Sequence, residues 1–220
     1  ESKFKLTRAQ IILSSSHTHT GPVLQDALFD MYPLDNQELK KVEQYSARLE
    51  EQIVTLAGKA LGSLKPAQLF AHNGITRFQV NRRTNVEASL DRQTYLNGPN
   101  DYSVPVIKVL DESGNLMAVA FGYACHATVL SFYKWSGDYP GFAQLELEKS
   151  HPGVTALFFQ CAGADLNPLP RRTVALAQQY GQELAAAVER VMTDGMRKLP
   201  AKLSTAYSEV DLKFSTPPSE

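Results

Sequence analysis

Two apolar runs separated by five turn-forming residues constrain this chain more than any other feature. Residues 104–110 and 116–125 flank Asp111-Glu112-Ser113-Gly114-Asn115, the pattern of two strands joined by a short hairpin. A hairpin makes neighbouring strands antiparallel, which conflicts with the regular strand–helix alternation of a parallel barrel.

Other elements group around that hairpin. Residues 10–13 form a short apolar run, and 154–160 form a compact one; both are predicted strands. Residues 68–79 predict one or two strands interrupted near Asn73-Gly74. Residues 202–214 alternate apolar and polar and predict another. Asp35-Asn36-Gln37-Glu38 predicts a helix start, with Asp35 as N-cap and Glu38 reaching back. Leu39, Val42, Leu49, Ile53, Leu56 and Ala60 recur at helical spacing, and Gly62 closes the segment. A second start lies at Ser136-Gly137-Asp138-Tyr139-Pro140-Gly141, with Pro140 in the first turn. A third helix follows from Val174, Ala177, Tyr180, Leu184, Val188 and Val191. Residues 81–102 are polar and predict a long loop. The expected fold is α/β: mixed β-sheet(s) flanked by long amphipathic helices, with the active site in loops at strand ends.

Composition excludes several classes. Lys plus Arg number 22 and Asp plus Glu 23, for a net charge of −1. No field of one sign covers the surface, so nucleic acid is not an expected partner. Two cysteines cannot build a disulfide scaffold or a Cys-based zinc module. Cys125 and Cys161 each end a predicted strand and read as buried thiols, which an oxidising compartment could pair if their geometry allows. The uncharged stretch 113–133 has an apolar part, 116–124, too short to span a bilayer. Residues 1–8 are charged and no apolar h-region follows, so no signal peptide is visible within this sequence, and a removed one would leave no trace in it.

The polar residues at strand ends carry the chemistry. His17 and His19 lie two apart after the 10–13 run, and in an extended segment both side chains face one side. Such a pair suits a metal, or is a surface loop that happens to hold two histidines. His126 ends the second hairpin strand; it is either a hydrogen-bonded core histidine or a ligand, since open α/β sheets bind ligands beyond strand ends. Asp165 and Asn167 follow the 154–160 strand. They suit a helix-capping turn before Arg171, or a third loop reaching the same pocket. The small residues Ala162, Gly163 and Ala164 permit close backbone approach to a ligand. Arg82 and Arg83 open the polar loop. They are solvated, unless a nearby pocket uses one to hold a carboxylate or a developing oxyanion. His72 and His151 read as structural.

Six segments, in this order, resemble the catalytic N-terminal domain of the neutral/alkaline (non-lysosomal) ceramidases. They are Ser16-His17-Thr18-His19-Thr20-Gly21-Pro22, Asn81-Arg82, Val104-Pro105-Val106, Ala124-Cys125-His126-Ala127-Thr128, Ser136-Gly137-Asp138-Tyr139-Pro140-Gly141 and Gly163-Ala164-Asp165-Leu166-Asn167-Pro168. The resemblance implies a zinc-dependent hydrolase that cleaves the N-acyl bond of ceramide, or a related N-acyl lipid, to a fatty acid and a sphingoid base with zinc-activated water. It implies His17 and His126 as Zn2+ ligands and His19 and Arg82 as catalytic-pocket residues. Asn167 stands at a catalytic position, and Gly163 and Asp165 line the substrate side. It further implies a ceramide-like partner, peripheral contact with a membrane surface, and a secreted, periplasmic or outer-surface location. The family's remaining zinc ligands, a glutamate and a tyrosine, lie downstream of this sequence. Residues 1–220 are therefore expected to form a single, incomplete catalytic domain, which fits a start without methionine at Glu1.

One departure bears on mechanism. Asn167 stands where the family has a serine, and an asparagine side chain is no covalent nucleophile. Two alternatives follow: a non-catalytic relative that binds a lipid or glycan, favoured by Asn167, and a barrel-type metal-dependent amidohydrolase, disfavoured by the hairpin.

Overall fold

In the computed structural model, which describes residues 2–214, the hairpin forms the middle of an open sheet. Strands β1 (Gln68–Ile75), β3 (Ser103–Leu110), β4 (Leu116–Tyr123), β5 (Thr155–Gln160) and β7 (Arg197–Lys198) take the order β5-β4-β3-β1-β7. All neighbours are antiparallel except β4 and β5. Those two are parallel and joined through helix α2 (Asp138–Ser150), because a parallel pair needs a crossover. Strands β2 (Gln79–Asn81) and β6 (Leu166–Pro168) form a separate antiparallel pair. The sheet is mixed, and no barrel forms.

Helix α3 (Val174–Thr193) packs on β1 and β3, and α2 packs on α3 and β5. Alternation along the strands sends Val104, Val106, Val119, Phe121 and Tyr123 into the core. Phe78 lies at its centre, its ring 4.7 Å from those of Tyr123 and Tyr180 and 5.1 Å from that of Tyr139. Each of these tyrosines carries its hydroxyl to a backbone carbonyl: Thr76, Pro170 and Cys125, respectively. Burial pushes the Tyr180 phenol up to about 12, so all three stay neutral donors.

Helix α1 (Asn36–Gly62) starts as its sequence predicts. The Asp35 carboxylate accepts from the Gln37 and Glu38 amides at 2.8 Å, and Glu38 accepts from the Asp35 amide at 3.0 Å. Its apolar stripe, however, buries no residue, whereas eight residues of α3 are buried. Periodicity makes both helices; packing separates them.

Several expected elements differ. Residues 10–13 form no strand, with Ile12 92% and Leu13 85% exposed. Residues 202–214 form none either, and Leu203, Val210, Leu212 and Phe214 are exposed. An apolar or alternating run becomes a strand only where a neighbouring edge accepts its ladder, and these two segments have no such partner among the described residues. Strand β1 runs through Asn73-Gly74 without a break. Gly74 is there because α3 crosses closely: a Cβ would lie 2.6 Å from Val191 Cγ2 and 3.2 Å from the Ala187 carbonyl. The polar segment 81–102 begins inside β2 and contains a 3-10 helix, Glu87–Arg92. Asp165 and Asn167 are not in a capping turn; Asn167 lies in β6 opposite Val80, and Thr173 caps α3 instead.

The chain divides into two units. Residues 14–200 hold the sheet and helices. Residues 2–13 with 201–214 form a small unit, in which the Arg8 guanidinium lies 5.1 Å from the Tyr207 ring centroid.

Candidate metal centre

Strand β4 runs into a segment in which every residue from 121 to 130 is buried. His126 sits within it, 6% exposed. Its backbone amide donates to Leu166 O at 2.9 Å, and its Nδ1–H donates to Gly163 O at 2.8 Å. That donation fixes the ring and leaves Nε2 free to bind. Asp138, 1% exposed, holds the segment's far end. Its carboxylate accepts from the amides of Leu130 at 2.8 Å, Tyr139 at 2.7 Å and Val129 at 3.3 Å. Burial raises the Asp138 carboxyl, and these donors pull it partly back.

His17 and His19 reach the same place from an irregular exposed segment. The convergence does not come from an extended strand: His17 has φ 56°, a left-handed turn that non-glycine residues adopt at a cost of about 1–2 kcal/mol. The segment is held from behind. The Thr20 hydroxyl donates to Ser136 O at 3.1 Å, that of Thr18 reaches the same carbonyl at 3.3 Å, and the Ser136 amide donates to Thr20 O at 3.0 Å.

The result is a triangle of imidazoles. One ligating nitrogen from each of His17, His19 and His126 lies within 4.8 Å of the others, and the Nε2 atoms of His17 and His19 are 3.4 Å apart. Two nitrogens on a tetrahedral zinc, with bonds of ~2.0–2.1 Å, stand about 3.4 Å apart. The His17–His19 pair therefore matches the spacing of two zinc ligands, and three converging imidazoles are a donor set that suits zinc. Burial lowers the pKa of His19, helped by the charges of His17, Arg171, Arg82 and Arg172. Burial also lowers that of His126, with Arg82 and His17 adding and the Gly163 carbonyl opposing. Neutral imidazole, the form that binds metal, is favoured at both.

The remaining expected residues are placed by their own partners. The Arg82 amide donates to Asp165 O at 2.8 Å at the end of β2. The Asp165 carboxylate accepts from Asn81 Nδ2 at 3.1 Å. Gly163 is buried, and its lack of a side chain serves the backbone beside it: a Cβ would stand 2.4 Å from the Cys125 amide nitrogen. Asn167 is 6% exposed, and its Oδ1 has no hydrogen-bond partner among the described residues. The same lack of a partner holds for Gln79 Oε1, Gln93 Oε1, Asn100 Oδ1 and Gln160 Oε1. An amide oxygen buried without a donor costs about 1–3 kcal/mol. Cys125 and Cys161 are free thiols, and burial raises both, which favours the protonated form. His151 is paired with Glu189 at 2.8 Å, away from the triangle.

Three residues that sequence reasoning passed over organise the site. Asn81 bonds Pro99 O and Asp165, and its Oδ1 accepts from the Arg83 amide at 3.0 Å. Asp138 stands inside a segment read as a helix start and as one of the six resembling segments, with no role given to its carboxylate. Arg171 clamps Glu87 through Nε at 2.9 and 3.0 Å, and its Nη1 reaches Thr128 Oγ1 at 3.3 Å. Asp138 and Asn81 lay within quoted motifs; the Arg171–Glu87 pair spans 84 residues and has no local signal.

Comparison with known proteins agrees with the resemblance read from the motifs. The chain is similar to neutral ceramidase B of Dictyostelium discoideum, 28% identical over 183 residues, covering 75% of this chain and 24% of that protein. The fold is shared with the crystal structure of neutral ceramidase from Pseudomonas aeruginosa (TM-score 0.62, 20% identity, 86% of this chain and 32% of that one). It is also shared with a ceramidase complexed with C2 (TM-score 0.64, 20% identity, 86% and 31%). This chain thus spans about a quarter of the curated relative and a third of the solved chains. No family model matches it.

Proposed function

We propose that this chain, akin to the neutral ceramidases in motif order and fold, supplies the histidine-bearing part of a zinc-dependent amide hydrolase site. The substrate is ceramide or a related N-acyl lipid; water adds across the amide C–N bond, yielding a fatty acid and a sphingoid amine. The observation that carries the reading is the triangle of His17, His19 and His126 at the strand ends.

His17 and His126 would hold the zinc, which supplies Lewis-acid polarisation and lowers the pKa of water when bound. His126 is the oriented ligand, because its Nδ1–H is committed to Gly163 O. His19, with its lowered proton affinity, is neutral near pH 7 and accepts a proton at Nε2 that the leaving amine later takes up. Arg82 offers its guanidinium to the oxyanion that develops on the amide carbonyl. Asn167 receives a substrate N–H or hydroxyl at its unpartnered Oδ1. Gly163 and Asp165 form the wall behind these groups. The site acts outside the cell, at its outer surface or in the periplasm, a location that rests on the resemblance alone.

Zinc content and N-acyl-sphingosine hydrolysis, measured in the full-length protein with His17→Ala and His126→Ala, test the proposal. Both variants should lose metal and activity; retention of both in both variants would overturn it. Asn167 in the serine position favours a second reading, a relative that binds N-acyl lipid without cleaving it. Zinc-loaded protein that binds such a lipid with no turnover would select that reading.

A further inference from the structure

The sequence carries a net charge of −1, yet the histidine triangle sits among cations. The charge of Arg82 acts on both His19 and His126, and the charges of Arg171 and Arg172 act on His19. Among the described residues, Glu87 alone pairs with any of these guanidiniums. It takes the hydrogen bonds of Arg171, and neither Arg82 nor Arg172 forms an ion pair. The Asp165 carbonyl accepts from the Arg82 amide, while the Asp165 carboxylate accepts from Asn81 Nδ2.

Arg172 stands on a pinned corner. Its amide donates to Val129 O at 2.7 Å, just beyond His126 in the buried segment. Before it, Pro170 O accepts from the Tyr180 hydroxyl at 2.6 Å; after it, Thr173 Oγ1 accepts from the Leu176 amide at 3.1 Å and starts α3. Its neighbour Arg171 is tied to Glu87 and to Thr128 Oγ1. Arg172 has φ 94°, in the left-handed region, as do His17 at 56° and Asp138 at 53°. A side chain occupies that region at a cost, and only where the surroundings over-determine it. Glycine would sit there without strain, but this corner carries a guanidinium. Such a group stays charged at any ordinary pH and offers a planar fork of donors that matches a carboxylate or phosphate. A neutral substrate gains little from that charge. An anion gains both attraction and a faster approach.

We propose that Arg172, backed by Arg82 and Arg171, selects an N-acyl substrate that bears a carboxylate or phosphate close to its scissile amide. This rests on the hydrolase reading above and narrows it: uncharged ceramide is the poorer substrate, and an acidic N-acyl lipid the better one. Arg172 determines specificity by holding the anion and takes no part in breaking the C–N bond. The required chemistry is the oxyanion, and carboxylate and phosphate are its two sources.

Lauroyl amides differing only in the amine portion test this: N-lauroylglycine, the phosphate monoester of N-lauroylethanolamine, and neutral N-lauroylethanolamine. Isothermal titration of the metal-free full-length protein reads binding, and the zinc-loaded protein reads kcat/KM. At least one anionic compound should bind and turn over roughly tenfold better than the neutral one, with the gap narrowing as salt is added. Whichever anion leads identifies the source. Arg172→Gln should bring the anionic-to-neutral ratio to within about twofold of unity. Arg172→Lys should restore more of it for phosphate than for carboxylate, because lysine keeps the charge and loses the fork. A merely structural Arg172 would change all these compounds together and leave their ratio alone. Equal or better handling of the neutral compound overturns the proposal and leaves the hydrolase reading intact. So does a ratio that Arg172→Gln does not alter. Binding of neither anionic compound also overturns it. Preferred binding of the anions with no turnover sinks the hydrolase reading and leaves the anion site standing.

Discussion

The two halves of the histidine triangle are built on opposite plans. His126 belongs to a run of ten buried residues, is oriented by a backbone carbonyl, and is flanked by Asp138. His17 and His19 are exposed on a segment without regular structure, secured mainly by two threonine hydroxyls and one amide at Ser136. One half inherits its geometry from the core and the other from a few exchangeable hydrogen bonds. The difference teaches where rigidity resides: metal or substrate meets a fixed nitrogen on one side and adjustable ones on the other.

The largest expected break of this contrast is Asp138→Ala. It removes the acceptor of three buried amides, each worth about 1–3 kcal/mol when left unpaired, so the loss should be at least about 3 kcal/mol by urea denaturation. Thr20→Val removes the corresponding support of the other half and should cost only about 1 kcal/mol. Equal losses would show that the two halves are held alike.

A glycine in each half makes the next test. Gly163→Ala forces a Cβ to within 2.4 Å of the Cys125 nitrogen, where only backbone could yield. A cost of about 1–3 kcal/mol is expected, with weaker zinc retention because the His126 acceptor moves. At Gly21 a Cβ would meet Thr18 Cγ2 at 3.5 Å, an ordinary contact. Gly21→Ala should leave stability within about 0.5 kcal/mol of the parent. Thermal denaturation of the two variants side by side decides it.

What could be read from sequence follows the range of the interactions involved. The α1 start was legible because Asp35 and Glu38 are three residues apart and satisfy each other's amides. The hairpin was legible because its turn and both strands are contiguous. Alternation in 202–214 and the apolar run at 10–13 state only a preference, and neither finds a sheet edge. Gly74 was misread because a glycine signals both a break and a close approach, and only the α3 contact tells which. The histidines were found as residue types with suggestive spacing. Their meeting depends on Ser136 and Gly163, far off in sequence, and the positive φ of His17 could not be read at all.

Arg171 bridges the loops that the sequence left apart, so it sharpens the contrast at a smaller scale. It joins Glu87 to Thr128, two residues from His126, and holds the Glu87 carboxyl below its ordinary range. The Glu87 end is exposed enough for solvent to screen the pair. Arg171→Gln should cost about 1 kcal/mol. A cycle with Glu87→Gln should recover most of that as coupling, and Thr128→Val should add little beyond it. Full additivity in the cycle would mean that the clamp does not act as a unit.

The smallest effect needs no mutation. His19 and His126 are both lowered from the ordinary 6.5, chiefly by burial. Below 6.5 the unfolded chain takes up protons at these positions that the folded chain refuses. The unfolded state then binds more protons, and stability falls as pH falls from 6.5 toward the folded values. Above 6.5 both states are neutral at these groups, and the dependence vanishes. Zinc should steepen the acid side, since protons and metal compete for the same nitrogens. Two-dimensional NMR titration of the metal-free protein reads the groups one at a time. Both imidazoles should titrate below 6.5, and His19→Asn should remove only the more exposed one's share of the slope. A midpoint above 6.5 for His126 would mean that its bond to Gly163 outweighs burial, and the fixed side of the triangle would then be the one that acid protonates first.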